Sequence, residues 1–326
     1  MADVLILYDK NESTPMEILD RHIEEVRKAT DGQVFRCFTE EQALSGGIDA
    51  EILYTWGGSG KLPEAYCLGS KKLKWLHTFS AGVDPIMKSP IRDLPISLTN
   101  AKGIHGKTMA LTTLGYIISF LRGFPGFYRQ QQSHTWSKPS DPFPREAIGL
   151  SACILGAGAI GSEVAKLCKA IDMRVIGVKR NVMPLENYDE IYPATQMDDA
   201  ISLADFLIVL APLSSETYHL VDAERIGKMK PTAILINISR GPVVDEAALI
   251  EALRNGTIAG AALDALEIEP LPQDSPLWDM HNVIITPHCS ATSNRYMDRA
   301  ITQFCDLLGL YQRGEPMYNL IDLSQN

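Results

Sequence analysis

Three side chains with chemically useful groups each follow a short apolar run in the second half of the sequence. They are Arg240, Glu269 and His288. A guanidinium binds a carboxylate through a planar fork of donors, and an imidazole gives or accepts a proton near neutral pH. A carboxylate hydrogen-bonded to that imidazole favours its protonated form. If the apolar runs are parallel strands, their carboxyl ends lie at one sheet edge, so we expect the three groups to converge on one crevice.

Each of the three residues also has a simpler interpretation. Arg240 could form a strand-end ion pair, Glu269 lies in an acidic stretch and could be solvated, and His288 could cap a loop. His281 is a nearby competitor for the role of His288. The occurrence of all three groups directly after predicted strands favours the catalytic interpretation.

A glycine-rich turn precedes these segments. Residues 156–161 read Gly-Ala-Gly-Ala-Ile-Gly, directly after an apolar run and before an amphipathic helix. Gly156 allows a tight turn, Gly158 lets a pyrophosphate approach the backbone, and Gly161 lets the helix pack closely on the strand. The N-terminus of the helix offers free N–H groups and the positive end of its dipole to phosphates. The motif predicts a dinucleotide site, and the alternative is a glycine turn without a ligand.

The residues at the end of the next predicted strand indicate which dinucleotide is bound. They are Lys179, Arg180 and Asn181, and Lys179 lies 18 residues after Gly161 (179 − 161 = 18). An NAD site has Asp or Glu here to accept hydrogen bonds from the ribose 2′-OH. Two cations instead suit the 2′-phosphate of NADP. We therefore expect NADP(H), with NAD as a weaker alternative, and a solvated basic pair as the structural alternative.

Short β-branched runs alternate with helical stretches along the whole chain, which predicts parallel α/β architecture in two doubly wound units. The predicted strands are Val4–Tyr8, Gln33–Phe38, Ile52–Thr55, Trp75–Thr78, Ile96–Thr99, Ala152–Leu155, Arg174–Val178, Phe206–Leu210, Ala233–Ile238, Gly260–Ala265 and Val283–Thr286. The predicted helices are Pro15–Ala29, Thr108–Arg122, Ile160–Ile171, Asp245–Arg254 and Thr292–Tyr311. The stretch from Gly123 to Pro144 carries four prolines and is predicted to hold no regular element. The last helix could return to the first unit, which would leave the second unit inserted in it.

Composition bounds the function. The 326 residues carry a formal net charge of −10 and a pI near 5.2, which argues against a general nucleic-acid binder. No apolar stretch reaches the ~20 residues that a membrane helix needs, and the first apolar run is too short for a secretory signal. The six cysteines form no C-x-x-C pair and no ligand cluster, so we expect reduced thiols and no metal site. These features predict a cytoplasmic protein.

Together, the motifs resemble those of the D-isomer-specific 2-hydroxyacid dehydrogenase family, and the resemblance covers essentially the whole chain. The segments that carry it are Gly156–Gly161, Ile236–Gly241, Asp264–Pro270 and Thr286–His288. The family implies an oxidoreductase that transfers a hydride between a nicotinamide dinucleotide, which Lys179 and Arg180 predict to be NADP(H), and a small 2-oxo acid/D-2-hydroxy acid pair. It implies a flavodoxin-like substrate domain, here 1–100 and 290–326, with an inserted Rossmann cofactor domain at 101–289. It also implies a homodimer formed largely through the segment from Thr108 to about Trp136.

The resemblance implies roles for individual residues. Arg240 matches the residue that binds the 2-oxo acid and polarises its ketone, His288 the proton donor or acceptor, and Glu269 the carboxylate partner of that histidine. The cofactor positions are Met109, Gly156, Gly158, Ala159, Ile160, Gly161, Lys179, Arg180, Asn181, Ala211, Pro212, Thr217, Ile238, Asp264 and Ser290, together with Arg240 and His288. The substrate positions are Trp56, Ser80, Ala81 and Gly82, again with Arg240 and His288. The N–H groups of Ala81 and Gly82 would hold the substrate carboxylate.

Several alternatives stay open at this point. Leu111 stands where family members often have Glu, so the contribution of that Glu to the domain interface is in doubt. Glu269 speaks against formate dehydrogenase relatives, which have Gln at this position. A glyoxylate or hydroxypyruvate enzyme, a short phosphoglycerate dehydrogenase without a regulatory domain after Asn326, and a corepressor-like protein that only binds the dinucleotide remain as alternatives. The sequence identifies neither the 2-oxo acid nor a redox role for Cys289.

Overall fold

The strands of this protein are short and apolar, as expected for sheets that helices cover on both faces. The computed structural model describes residues 2–8, 17–58, 61–138 and 144–324. Its strands are β1 (Val4–Leu7), β2 (Val34–Cys37), β3 (Ile52–Thr55), β4 (Trp75–Thr78), β5 (Ser97–Asn100), β6 (Ser151–Leu155), β7 (Arg174–Lys179), β8 (Glu190–Pro193), β9 (Phe206–Val209), β10 (Ile234–Asn237), β11 (Gly260–Leu263), β12 (Val283–Ile285) and β13 (Leu320–Ile321).

Helices occupy the stretches between the strands. They are α1 (Asp20–Ala29), α2 (Glu40–Ser45), α3 (Glu64–Gly69), α4 (Asp84–Met87), α5 (Gly106–Arg122), α6 (Phe124–Gln132), α7 (Ala159–Lys169), α8 (Met197–Ser202), α9 (Ala223–Lys228), α10 (Glu246–Arg254) and α11 (Tyr296–Gln312). Some begin at a side chain that accepts a hydrogen bond from a first-turn N–H group. Examples are Thr39 before α2, Asp222 before α9 and Asp245 before α10. Such caps satisfy backbone donors that have no partner inside the helix.

The chain divides into two compact units. The terminal unit consists of Met1–Ile104 and Thr292–Asn326, and the central unit consists of His105–Ala291. Because both ends of the chain form the terminal unit, the central unit is an insertion in it.

The terminal unit contains a sheet with the strand order β2-β1-β3-β4-β5-β13. Its first five strands run parallel, and β13 pairs antiparallel with β5. This is the flavodoxin-like order 2-1-3-4-5. Helix α11 packs on the sheet through Phe304, whose ring centroid lies 4.6 Å from that of Tyr54 and 5.4 Å from that of Trp75. The C-terminal helix therefore belongs to the first core, as the sequence suggested.

The central unit contains a parallel sheet with the order β8-β7-β6-β9-β10-β11-β12. Counted from β6, this is the Rossmann order 3-2-1-4-5-6 with a seventh strand added. The chain moves outward on one side of β6 through β7 and β8, then returns to its other side at β9. Ligands of such sheets bind at the carboxyl edge beside this reversal. The prediction of two doubly wound α/β domains is confirmed.

Some predicted elements are wrong. The predicted loop after Gly123 contains helix α6, because its Pro125 lies in the first turn, where a missing N–H group costs nothing. Helix α1 begins at Asp20, and Pro15, its predicted start, lies outside the described residues. Helix α11 begins at Tyr296, four residues later than predicted. In the described part of the chain, no helix has the length and apolarity to cross a membrane.

The packing of α11 predicts a stability difference between two leucines of the terminal unit. Leu307 is 0% exposed in the core, whereas Leu44 on α2 is 48% exposed. We expect Leu307→Ala to lower the free energy of unfolding by about 2–5 kcal/mol, through lost apolar contacts and a residual cavity. Leu44→Ala should change it by about 0.5 kcal/mol at most. Urea unfolding followed by circular dichroism measures both, and equal effects would contradict this position of α11.

Candidate active site

The side chains that carry chemistry lie at the carboxyl edge of the central sheet. Strands β6, β10, β11 and β12 run in the same direction, so they all end at this edge. The glycine turn follows β6, Arg240 follows β10, Glu269 follows β11 and His288 follows β12. His281 precedes β12 and lies at the opposite edge, which removes it as a competitor of His288.

His288 and Glu269 form a hydrogen-bonded pair. His288 Nδ1 lies 2.8 Å from Glu269 Oε2 and 3.0 Å from Oε1. The two side chains are 44% and 37% exposed. The hydrogen bond with Glu269 raises the pKa of His288, although partial burial and the charge of Arg240 lower it. Because Nδ1 contacts the carboxylate, Nε2 is the ring atom left for proton exchange.

Glu269 is held as a carboxylate by its own neighbours. Burial pushes its pKa upward, but hydrogen bonds from His288 and from the N–H group of Leu266 lower it overall. The Leu266 nitrogen lies 3.0 Å from Glu269 Oε1. The charge of Arg240 lowers the pKa of Glu269 further. A negative carboxylate beside the ring is what a protonated histidine needs.

Arg240 is oriented by a turn that Asn237 organises. Asn237 is buried at the end of β10, and its Nδ2 donates to the carbonyl of Arg240 (3.1 Å). Its Oδ1 accepts from both the N–H and the hydroxyl of Ser239, at 3.1 and 2.9 Å. The Arg240 guanidinium donates to the Ser239 carbonyl at 2.8 Å. The turn thus holds a cation beside the His288–Glu269 pair.

The segment around His288 is fixed by the buried carboxylate of Asp264. This carboxylate accepts hydrogen bonds from Thr286 Oγ1 (2.6 Å), Cys289 N (2.9 Å) and Ser290 N (3.0 Å). These donors lie before and after His288 in the chain. His288 itself has φ +48°, a left-handed conformation that is costly for a residue other than glycine. Such a conformation persists only where neighbouring contacts impose it.

The segment that carries Glu269 is fixed through Glu267. His219 Nε2 lies 2.8 Å from Glu267 Oε1, and His219 Nδ1 lies 3.7 Å from Asp245 Oδ2. The Glu246 N–H donates to Glu267 Oε1 at 3.2 Å, and the Glu267 N–H donates to Glu246 Oε2 at 3.0 Å. These contacts attach the segment to the first turn of α10.

The glycine turn has the shape that a pyrophosphate requires. Gly156 has φ +104°, and a Cβ atom there would lie 2.8 Å from the backbone of Leu210. Gly158 precedes α7, and a Cβ atom at this position would meet nothing within 4 Å, so the space beside it is open. The first N–H groups of α7, at Ala159 and Ile160, have no partner within the helix. The turn therefore fits a dinucleotide, whose phosphates these groups would hold.

Tyr188 occupies the space that two glycines leave. A Cβ atom at Gly161 would lie 2.9 Å from Tyr188 Oη, and one at Gly177 in β7 would lie 2.7 Å from the Tyr188 ring. The Cβ at Gly161 would also lie 2.7 Å from the carbonyl oxygen of Gly156. Gly161 thus allows α7 to pack closely on the sheet, as the motif predicts.

The end of β7 carries the predicted cations. Lys179 is the last residue of the strand and is half-buried, whereas Arg180 and Asn181 are exposed. The Arg180 guanidinium forms an ion pair with Glu216. Among the described residues, Lys179 forms no ion pair. The structure thus has no carboxylate at the end of β7 itself, but it has one, Glu216, next to the second cation.

Other predicted cofactor positions differ in exposure. Ala211 and Ile238 are buried in the core of the central unit, and Met109 packs against this core while half-buried. Pro212 is exposed, and its carbonyl accepts a hydrogen bond from Thr217 Oγ1 at 2.6 Å. Thr217 thereby closes the loop after β9.

The predicted substrate residues Trp56, Ser80, Ala81 and Gly82 belong to the terminal unit. Trp56 packs against the core of this unit. Ser80 is buried after β4, and its hydroxyl donates to the Gly82 carbonyl at 2.8 Å. Asn100 Nδ2 donates to the Ala81 carbonyl at 2.6 Å. The loop is therefore fixed within its own unit.

Comparison with known proteins identifies the family. The model of the D-isomer specific 2-hydroxyacid dehydrogenase, NAD binding domain, matches residues 114–290, more than half of the 326 residues. The chain belongs to the D-isomer specific 2-hydroxyacid dehydrogenase family. It is an oxidoreductase that transfers a hydride between a nicotinamide dinucleotide and a 2-oxo acid/2-hydroxy acid pair.

Individual relatives agree with this family. The dehydrogenase is 35% identical to a glyoxylate reductase of Thermofilum pendens over 255 residues, which are 77% of this chain and 71% of the relative. A family protein from Aeromonas salmonicida has a similar structure, with a TM-score of 0.85 at 31% identity, covering 99% of this chain and 100% of that one. The family member from Xanthobacter autotrophicus, in complex with NADPH and MES, gives a TM-score of 0.81 at 28% identity, with 99% of each chain covered.

Sequence reasoning missed several residues that hold this site. Asn237 and Thr286 lie inside the motifs, but their types alone do not indicate which backbone groups they bind. A buried polar residue at the end of an apolar strand is a usable signal for Asn237. Tyr116 and His219 act through contacts far along the chain, with Thr286 and Glu267 respectively, and no local signal predicts these contacts.

The His288–Glu269 pair of the dehydrogenase predicts a measurable pKa change. Because Glu269 raises the pKa of His288, Glu269→Gln should lower it by removing the negative charge while keeping the side-chain shape. NMR titration of the ring measures this, with His288→Gln assigning the signal. Glu315→Gln is the matched control, since Glu315 pairs with Arg313 in the terminal unit. An unchanged His288 pKa in Glu269→Gln would contradict the pairing.

Proposed function

We propose that this dehydrogenase reduces a small 2-oxo acid to the D-2-hydroxy acid with NADPH, and that His288 is the proton donor. The observation that carries the proposal is the hydrogen bond of 2.8 Å between His288 and Glu269 beside the charge of Arg240. A cation, a protonated imidazole and a supporting carboxylate are the groups that ketone reduction in a carboxylate substrate requires. The glyoxylate reductase of Thermofilum pendens supports a small 2-oxo acid as substrate.

Each residue has a separate task in this mechanism. Bound NADPH supplies the hydride. Arg240 binds the substrate carboxylate and polarises the ketone with its planar fork of donors. His288, protonated at Nε2, gives its proton to the carbonyl oxygen, and Glu269 stabilises the imidazolium. In the oxidation direction, neutral His288 accepts the proton.

The loop after β4 is assigned the second contact with the substrate carboxylate. Its support is that, within the described part of the chain, the N–H groups of Ala81 and Gly82 donate to no protein acceptor. Their carbonyls are engaged with Asn100 and Ser80, respectively, which fixes the loop. Trp56 is assigned as a wall of the substrate pocket.

NADPH rather than NADH is assigned as the preferred cofactor. The support is the pair Lys179 and Arg180 at the end of β7, where a carboxylate would read the ribose of NAD. A 2′-phosphate attracts these cations, while Glu216 competes with it for Arg180. The NADPH complex of the Xanthobacter autotrophicus structure agrees with this assignment.

The active form is assigned as a cytoplasmic homodimer. Apolar side chains are exposed on α5 and between α5 and β6; they are Leu111, Phe124, Tyr128, Trp136 and Ile148. Trp136 is 100% exposed, which is unusual for the side chain with the largest apolar surface. A cavity of about 460 Å³ at α5 and α6 is lined by Phe120, Phe127 and Arg129. The six cysteines are all free thiols, which agrees with a reducing compartment.

Removal of Arg240 tests the proposed reaction. Arg240→Ala should lower kcat/KM for glyoxylate or hydroxypyruvate by about 10- to 150-fold or more. This range corresponds to the loss of one charge-assisted contact of about 1.5–3 kcal/mol. Arg240→Lys keeps the charge without the planar fork, so it should retain intermediate activity. The variant should still bind NADPH, as nicotinamide fluorescence measures. Near wild-type turnover by Arg240→Ala would exclude the assigned role.

Cofactor choice is tested by charge changes at the end of β7. The unmodified enzyme should prefer NADPH over NADH by at least about tenfold in kcat/KM, and salt should weaken this preference. Lys179→Asp with Arg180→Ala should reverse much of it, whereas Glu216→Gln should increase it by releasing Arg180. Steady-state kinetics with both cofactors measures the ratios. Equal use of both by the unmodified enzyme would mean that these cations do not contact the ribose.

A further inference from the structure

A row of hydroxyl side chains on α5 faces the segment that carries His288. Thr108, Thr112 and Tyr116 are four residues apart, so they lie on one face of the helix. The Thr108 hydroxyl lies 3.4 Å from the Ala291 carbonyl, and the Thr112 hydroxyl lies 3.4 Å from the Ser290 carbonyl. These two bonds are long, and the third member of the row makes the shortest contact.

Tyr116 begins a chain of three hydrogen-bonded groups, of which the middle one, Thr286, is half-buried. Its Oη lies 2.5 Å from Thr286 Oγ1, and Thr286 Oγ1 donates to Asp264 Oδ1 at 2.6 Å. A hydroxyl has one proton, and Thr286 gives it to the carboxylate, so Tyr116 donates the first bond. Tyr116 and Asp264 are both buried. Water cannot easily replace a lost hydrogen-bond partner at a buried group, so breaking this chain of hydrogen bonds is costly.

The chain of hydrogen bonds continues from Asp264 to the backbone directly after His288. Asp264 accepts from Thr286, two residues before His288, and from the N–H groups of Cys289 and Ser290, directly after it. His288 has φ +48°, which these contacts must maintain. The direction of the imidazole, and with it the distance to Glu269, follows from this backbone.

We propose that Tyr116 is a positioning residue of the dehydrogenase, which holds the backbone at His288 through Thr286 and Asp264 and thereby maintains the His288–Glu269 hydrogen bond. The proposal rests on the proposed function, in which this pair moves the proton. Tyr116 contacts neither Glu269 nor the reacting atoms in this proposal, and it acts only through the chain of hydrogen bonds.

The charged and titratable groups around His288 affect its pKa. They are the carboxylates Glu269 and Asp264, the guanidinium of Arg240, and the adjacent thiol of Cys289. Burial raises the pKa of Tyr116, so its phenol stays protonated while the histidine titrates. A change in the pKa of His288 after removal of this phenol therefore reports geometry, since no charge is lost.

Tyr116→Phe removes the hydroxyl and keeps the ring. We expect kcat for reduction to fall by about two- to tenfold, the value of one neutral hydrogen bond. The pH at which reduction declines should move lower, because a less constrained His288 binds Glu269 less well and loses its proton earlier. KM for NADPH should stay the same. A residue that only contributes to stability would leave the pH profile unchanged.

Substitutions at Thr286 test the same chain from its middle. Thr286→Val should reproduce both effects, and Thr286→Ser should restore them, because serine keeps the hydroxyl. The double variant Tyr116→Phe with Thr286→Val should be less than additive, since both changes break one network. This set also keeps the test valid if Tyr116→Phe fails to fold.

Tyr311→Phe is the matched control. Tyr311 donates its phenol to Glu51 at 2.7 Å within the terminal unit, so this change also removes a hydroxyl that binds an oxygen acceptor. Its pH profile should equal that of the unmodified enzyme. A shift of equal size in Tyr311→Phe would show that loss of stability alone causes the effect, and would overturn the proposal.

NMR titration of the His288 ring separates this proposal from the proposed function. If the unmodified enzyme reduces no 2-oxo acid, the proposed function fails, but the His288 pKa still tests the positioning. A lower His288 pKa in Tyr116→Phe and Thr286→Val, with the wild-type value in Thr286→Ser and Tyr311→Phe, supports the proposal. An unchanged His288 pKa in folded Tyr116→Phe and Thr286→Val refutes it.

Discussion

Parallel pairing of the central sheet is the constraint on which the site depends. From β6 to β12 the strands of this sheet point in one direction, so every loop that follows a strand begins at the same edge. The register is continuous: Ile236 pairs with Ala262, which pairs with Ile284. A slip of one residue would turn the side chains of a strand to the opposite face and move the residues that follow it. The cation, the carboxylate and the imidazole are close together because three strands end in register.

The site combines a proton that His288 exchanges with a backbone segment that hydrogen bonds hold in place. The titrating groups His288 and Glu269 are partly exposed, whereas the carboxylate of Asp264 is buried and accepts hydrogen bonds from the Thr286 hydroxyl and from two backbone N–H groups. Exposure gives the ring access to a substrate, and the buried carboxylate limits how far the ring can move. Arg240 provides local positive charge on a protein with a net charge of −10, which an anionic substrate needs.

Much of the fold follows from local signals in the sequence. The glycine turn after β6 and the polar residues after apolar strands predict the cofactor motif and the candidate site, because each signal lies within a few residues of the strand it follows. Helix α6 was not predicted, because the prolines between Gly123 and Pro144 were expected to exclude a regular element. Pro125 lies in the first turn of α6, where its missing N–H group breaks no hydrogen bond of the helix. Tyr116 lies in an apolar helix, and its contact is 170 residues away along the chain at Thr286. Sequence patterns of one chain carry no information about such a distance.

The Tyr188 ring has a consequence for how this family can vary. It fills the volume above Gly161 and Gly177, so two positions that lack side chains share one neighbour. A relative with alanine or a larger residue at either glycine would need a smaller residue in place of the tyrosine. We therefore expect the side-chain sizes at positions Gly161, Gly177 and Tyr188 to vary together among homologues, although Gly161 lies in α7 and Gly177 in β7. The size of position 188 would then indicate how closely α7 approaches the sheet.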